Sequence, residues 1–238
     1  FLGVPDIGLV SVTELAENVA AMRDCVRLPL IVDADTGFGN AVNTARTVKL
    51  LERAGASAIQ LEDQVFPKRC GHFAGKGVIP AREMAQKVKA AVDARQDGDC
   101  LIIARTDAIA CAGLDDALER AMAYTEAGAD LTFVEAPKSR AEMKRIAASL
   151  PVPQVANLVA GGLTPMLPRS ELQRIGFALV LYANAALQAA MLGTHEVLTH
   201  LRDRGSLEGI AHRLMDFAAR QEIVGKPAYD ALEKRYEA

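Results

Sequence analysis

One pattern recurs along this chain and limits what it can become. A short apolar, β-branched run ends in polar residues, and an amphipathic helical stretch follows. The runs are Leu30–Asp35, Ala58–Asp63, Leu101–Asp107, Leu131–Glu135, Pro153–Asn157 and Phe177–Tyr182. Strands buried on both faces read as near-continuous apolar segments, and parallel strands are buried in this way. Between the runs, apolar residues return at helical spacing, as in Thr44–Ala54 and Leu114–Ala127. Alternating strands and helices predict a parallel sheet with right-handed crossovers. The expected fold class is therefore α/β, a TIM-type (β/α) barrel spanning residues 1–238 as one domain.

Smaller signals fit the same frame. Ser11 and Glu14 form a capping box ahead of a helix predicted over Val12–Cys25. Gly55 and Gly128, each inside Ala-Gly-Ala, and Gly176 suit left-handed helix ends before the next strand. Two further helices are expected late in the chain, over Ala185–Arg202 and Leu207–Gln221.

Composition excludes some partners. With 27 basic against 30 acidic residues and a net charge of −3, nothing favours nucleic acid or an anionic membrane surface. Trp is absent, which argues against base-stacking platforms. No apolar run approaches the roughly 18 residues of a membrane span. Cys25, Cys70, Cys100 and Cys111 show no paired spacing, so reduced thiols in a cytoplasmic protein are expected.

The polar residues that close the runs fall at equivalent places. Asp33 and Asp35, Glu62 and Asp63, Arg105 and Asp107, Glu135 and Asn157 all end successive strands. In a parallel barrel these ends form one rim, where active sites lie. Asp33 and Asp35, two apart, are expected to point to the same side of a strand and to meet Glu62. Such carboxylates repel one another, and a hard divalent cation relieves this; oxygen-only ligands favour Mg²⁺ or Mn²⁺. The alternative is a salt-bridged rim with Arg105 as counter-ion. Arg105 suits a two-point grip on a substrate carboxylate, or a pairing with Glu135 or Asp107. Asn157 suits donation to a developing oxyanion, or an ordinary strand-end turn.

The stretch 64–80, QVFPKRCGHFAGKGVIP, is a long loop in an otherwise compact pattern, and such loops are usually functional. Cys70 stands beside Lys68, Arg69 and His72, and positive neighbours lower a thiol pKa. Gly71, Gly75 and Gly77 allow hinge motion, so the loop is expected to act as a mobile lid.

The segments DADTGFGN (33–40), IQLEDQVFPKRCGH (59–72), IIARTDA (102–108) and TPMLPRSEL (164–172) resemble the isocitrate lyase/phosphoenolpyruvate mutase superfamily, along essentially the whole chain. The Lys-Arg-Cys-Gly-His motif places the resemblance in its lyase branch, near the 2,3-dimethylmalate and methylisocitrate lyases. The resemblance implies Asp33, Asp35, Glu62 and Asp6 as Mg²⁺ ligands, some through water. It implies Cys70 as the general acid. His72, Arg105, Glu135 and Asn157 match positions for substrate binding and proton handling, and Gly71 and Thr164 match substrate-binding positions. It further implies a (β/α)8 barrel whose first two strands precede the point matched by Phe1, extra C-terminal helices at about 185–221, and a homotetramer with those helices swapped.

The resemblance thus implies a carbon–carbon lyase acting on a small 2-hydroxy di- or tricarboxylate and releasing a 2-oxo acid. Phe73–Lys76 and the residues after Asn157 differ from the patterns of tricarboxylate lyases, which favours a dicarboxylate. Oxaloacetate decarboxylase or hydrolase activity, phosphonopyruvate or carboxyphosphonoenolpyruvate mutase chemistry, and an inactive truncated chain are the alternatives.

Overall fold

The computed structural model describes residues 2–69 and 75–237. All six expected runs form strands: β1 (Ile31–Asp33), β2 (Ala58–Glu62), β3 (Leu101–Thr106), β4 (Leu131–Val134), β5 (Gln154–Asn157) and β6 (Leu179–Leu181). Among the described residues they form one sheet in chain order, every neighbouring pair parallel. Six such strands make a half-barrel of the TIM type.

The crossovers are α2 (Ala41–Arg53), α3 (Ala81–Ala94), α4 (Leu114–Glu126), α5 (Arg140–Ser149) and α6 (Arg169–Ile175); α1 (Val12–Cys25) precedes β1. Ser11 caps α1 as expected, its hydroxyl accepting from the Glu14 N–H while the Glu14 carboxylate accepts from the Ser11 N–H. Gly55 follows α2 at φ 104°, and a Cβ there would lie 2.7 Å from Arg23 Cγ, so both backbone and space require glycine.

Strand side chains alternate between two layers. Ile59, Leu61, Ile102 and Ala104 face outward onto Val48, Leu51, Met84 and Val88 of the helices. Ala58, Ile103, Phe133 and Val155 cluster on the inner face. Continuing the inner alternation two residues at a time puts Glu62, Arg105, Glu135 and Asn157 inside, and the pairing of Asp33 with Gln60 adds Asp33. All the strands but β5 close one or two residues earlier than expected, so several polar residues begin the turns instead.

The chain divides into two compact units, Phe1–Ala183 and Asn184–Ala238. In the second, α7 spans Ala185–Arg204 and ends at Gly205 with φ 64°. The helix expected over Leu207–Gln221 does not form as one piece. A 3₁₀ turn at Ala211–Arg213 is followed by extended Leu214, and Asp216 then caps a new helix, α8 (Phe217–Ile223), by accepting from the Ala219 N–H. The capping carboxylate starts a helix where periodicity alone had continued one. A further helix, α9 (Lys226–Tyr236), begins after Gly225. No described residue of α7, α8 or α9 is buried.

Candidate active site

Asp33 is the last residue of β1, but Asp35 lies beyond it at φ 49°. The expectation that strand alternation aims both carboxylates the same way is therefore corrected. The Asp33 carboxylate accepts from the Asp35 N–H at 3.1 Å, an Asx-type turn that draws the chain out of the extended conformation. Gly37, Phe38 and Gly39 continue the tight turn, all at positive φ.

Glu62 is 1% exposed. Neither of its carboxylate oxygens has a hydrogen-bond partner among the described residues. Its nearest cation is Arg105 Nε, 3.4 Å away. Burial pushes the Glu62 carboxyl well above the usual range; Arg105 opposes this, while Asp33 and Asp107 add to it.

Lys68 occupies the acidic region. Its ammonium lies 2.8 Å from Asp35 Oδ1 and also pairs with Asp6. Burial works against this charge, but hydrogen bonds to Asp35 and Asp6 outweigh it and hold the Lys68 pKa above its ordinary value. Burial likewise raises the Asp35 carboxyl, with Lys68 opposing and Asp33 and Asp6 reinforcing. Among the described residues, no group of three or more Asp, Glu, His or Cys side chains stands close enough to hold a metal ion. The charges are offset here by Lys68 and Arg105. The donor set still suits a hard cation: it is all oxygen, and Glu62 keeps two buried oxygens without a hydrogen-bond donor. Lys68 stands as the positive charge this set requires.

Arg105 gives its fork to Asp107, Nε to Oδ2 at 2.8 Å and Nη2 to Oδ1 at 3.1 Å, with its guanidinium 5.1 Å from the Phe133 ring centroid. Of the pairings expected for it, Asp107 is the direct one; Glu135 acts on it through charge alone. Lys76 adds a second cation to Asp107 at 2.8 Å. Burial would raise the Asp107 carboxyl, but Arg105 and Lys76 together hold it below its usual value. Asn157 Nδ2 donates to Glu135 at 3.2 Å. Asn157 Oδ1 and Thr164 Oγ1 are buried with no hydrogen-bond partner among the described residues.

Asp63 turns to the outer layer. It accepts from Thr106 Oγ1 at 2.7 Å, the Asp107 N–H at 2.9 Å and Tyr124 Oη at 2.8 Å. Its backbone carbonyl accepts from the Ile79 N–H, and Gln64 bridges to Val78 in an antiparallel pair. The two stems of the 64–80 loop are thereby joined at the rim. Cys70, Gly71 and His72 lie outside the described residues. The counter-ion roles of Lys68 and Lys76 were missed from sequence. The available signal is two lysines in a loop adjoining an acidic rim; the motif reading uses only Lys68, as a neighbour of Cys70.

A parallel half-barrel with charged side chains gathered where its strands end defines an enzyme of the TIM-barrel class. The sequence pattern of the phosphoenolpyruvate phosphomutase family matches residues 1–202, and the chain belongs to that family. It is 43% identical to the 2,3-dimethylmalate lyase of Eubacterium barkeri, over 99% of this chain and 81% of that one. It is 42% identical to the 2-methylisocitrate lyase of Aeropyrum pernix, over 98% and 74%. A solved 2,3-dimethylmalate lyase superposes with a TM-score of 0.92 at 30% identity, covering 98% of this chain and 78% of the other. A phosphonopyruvate hydrolase solved with oxalate and Mg²⁺ superposes at 0.86 with 35% identity, covering 98% and 81%. The resemblance read from the motifs holds: the family is the expected one and these two sequence relatives are lyases.

Proposed function

We propose that this protein is a Mg²⁺-dependent carbon–carbon lyase that splits a small 2-hydroxy dicarboxylate of the alkylmalate type and releases a 2-oxo acid. The observation that carries this reading is the inner rim. Glu62, Asn157 and Thr164 keep buried polar atoms without partners among the described residues, beside a charged Arg105. Buried polar atoms without partners are costly, and a bound ion and substrate would satisfy them. The lyase relatives support the same class of reaction.

Asp33, Asp35, Glu62 and Asp6 would hold Mg²⁺, some through water, or Mn²⁺ in its place. When bound, the metal supplies Lewis acidity to the 2-oxo-acid portion of the substrate. A bound ion would compete with Lys68 for the carboxylates of Asp35 and Asp6. Arg105, held by the Asp107 carboxylate that also pairs with Lys76, presents a fixed positive charge to a substrate carboxylate. Asn157 donates to the developing oxyanion, Glu135 orients Asn157 and handles a proton, and Thr164 binds substrate. Gly71 and His72 contact substrate from the lid, and Cys70 protonates the carbanion left by cleavage.

Exposed Leu187, Met191, Leu192 and Leu198 on α7 support assembly through the C-terminal helices, and the proposal includes the swapped homotetramer. A cytoplasmic location belongs to the same reading and is supported by the free thiols of Cys25, Cys100 and Cys111. Among the described residues no helix is long and apolar enough to cross a membrane.

The test is Cys70→Ser assayed on 2,3-dimethylmalate and on oxaloacetate with Mg²⁺. A lyase loses turnover on the first while its Mn²⁺ affinity is unchanged. Substantial retained rate on oxaloacetate alone would replace the lyase with a decarboxylase or hydrolase.

A further inference from the structure

Beside the rim, a cavity of about 540 Å³ opens between the start of α1, the β1–α2 turn, the stems of the 64–80 loop and the flank of α3. Its walls are largely apolar, with Val10, Phe38, Phe66 and Ile79 among them. None of Asp33, Glu62, Arg105, Glu135 or Asn157 lines it. Two lining residues are charged, Glu83 and Lys87, one turn apart on α3. Lys87, on the inner flank of α3, is 3% exposed. Its ammonium forms no hydrogen bond or ion pair with any described residue. Glu83, one turn earlier, acts on it only through charge at a distance.

The Lys87 side chain is buried, but its ammonium still reaches accessible space and is open to an anion entering the cavity. A cavity of this size with apolar walls accepts an apolar body rather than a second charged one. We propose that this cavity is a second ligand site, taking a medium-chain monocarboxylate with its head on Lys87 and its chain against Phe38, Phe66 and Ile79. The small polar acids suited to the rim would leave those walls empty. Burial lowers the Lys87 pKa, so a bound carboxylate would also relieve a strained charge. The walls tie the site to the rim. Thr36 and Phe38 belong to the turn that carries Asp35, and Gln64, Phe66 and Ile79 belong to the lid stems. An occupant would therefore brace both.

The probe is octanoate, titrated calorimetrically into the protein, with 1-octanol as the uncharged control and malate as the polar one. Octanoate should bind at one site per chain, and malate should not compete. Lys87→Met should weaken octanoate by at least about ten-fold while leaving 1-octanol unchanged, whereas Lys87→Arg should stay within about three-fold of wild type. Phe66→Ala, at an exposed position, should weaken octanoate and 1-octanol alike. No saturable octanoate binding, or binding indifferent to both Lys87→Met and Phe66→Ala, would overturn the proposal. Competition by malate would move the ligand to the rim and overturn it as well.

Discussion

Lys68 Nζ lies 2.8 Å from Asp35 Oδ1, so a side chain of the 64–80 loop supplies positive charge to the acidic cluster. Removing it exposes the cluster's own repulsion. Lys68→Met should lower stability without metal by about 3 kcal/mol, as breaking a buried pair does. Mg²⁺ or Mn²⁺ should restore the loss, and Mn²⁺ affinity should rise, because the ion no longer displaces an ammonium. Thermal melts with and without Mn²⁺, together with an electron paramagnetic resonance titration, measure both effects. Unchanged Mn²⁺ affinity would show that Lys68 and the metal do not share carboxylates.

Thr164 separates function from stability. Its hydroxyl is buried without a partner among the described residues, so removing it costs the fold little. Thr164→Val should be neutral or stabilising by up to about 1 kcal/mol in urea unfolding. If the hydroxyl meets substrate, KM should rise by about ten-fold, equivalent to one lost hydrogen bond. A destabilised variant with unchanged KM would assign Thr164 to packing.

Arg105 and Asp107 share two hydrogen bonds in a fork that lysine cannot reproduce. Arg105→Lys should keep the charge yet lower kcat/KM by about a hundred-fold, since small misplacements at a reacting centre cost that much. The urea midpoint should also fall, as Asp107 loses one of its donors. Steady-state kinetics and urea unfolding on the same preparation check both.

Burial holds the Lys87 pKa below its ordinary value, with Glu83 opposing. The folded protein then gives up this proton at lower pH than the unfolded chain, so stability rises with pH between the two pKa values. Below both pKa values both states carry the charge and the burial cost is full. Lys87→Met should therefore be the more stable form near about pH 7, with its advantage shrinking towards about pH 9.5. Urea midpoints at those two conditions test the sign; an advantage that grows with pH would reverse it.

Much of this was legible in the chain because two periodicities carry it. Near-continuous apolar runs gave the six strands, and the polar residues after them lay near the rim because every parallel strand ends on the same side. Asp35 departed from that reading because a side-chain-to-backbone hydrogen bond from Asp33 bends the chain, and periodicity does not register such a contact. Asp63 departed because one residue of alternation sends it to the helix layer, where Thr106 and Tyr124 meet it. The particular carboxylates that Lys68 and Lys76 meet were not legible, since those pairings join distant segments of the chain. The break at Asp216 was present as a capping residue, but helical spacing on both sides concealed it.

The central claim is tested most directly by incubating the protein with 2,3-dimethylmalate and Mg²⁺ and following the products by proton NMR. Retro-aldol cleavage between the hydroxyl-bearing carbon and its methyl-bearing neighbour gives pyruvate and propionate in equal amounts. The account predicts both, formed together, and stopped by EDTA or by Glu62→Gln. Product formation that survives EDTA and Glu62→Gln, or a failure to cleave any alkylmalate in the presence of Mg²⁺, would contradict it.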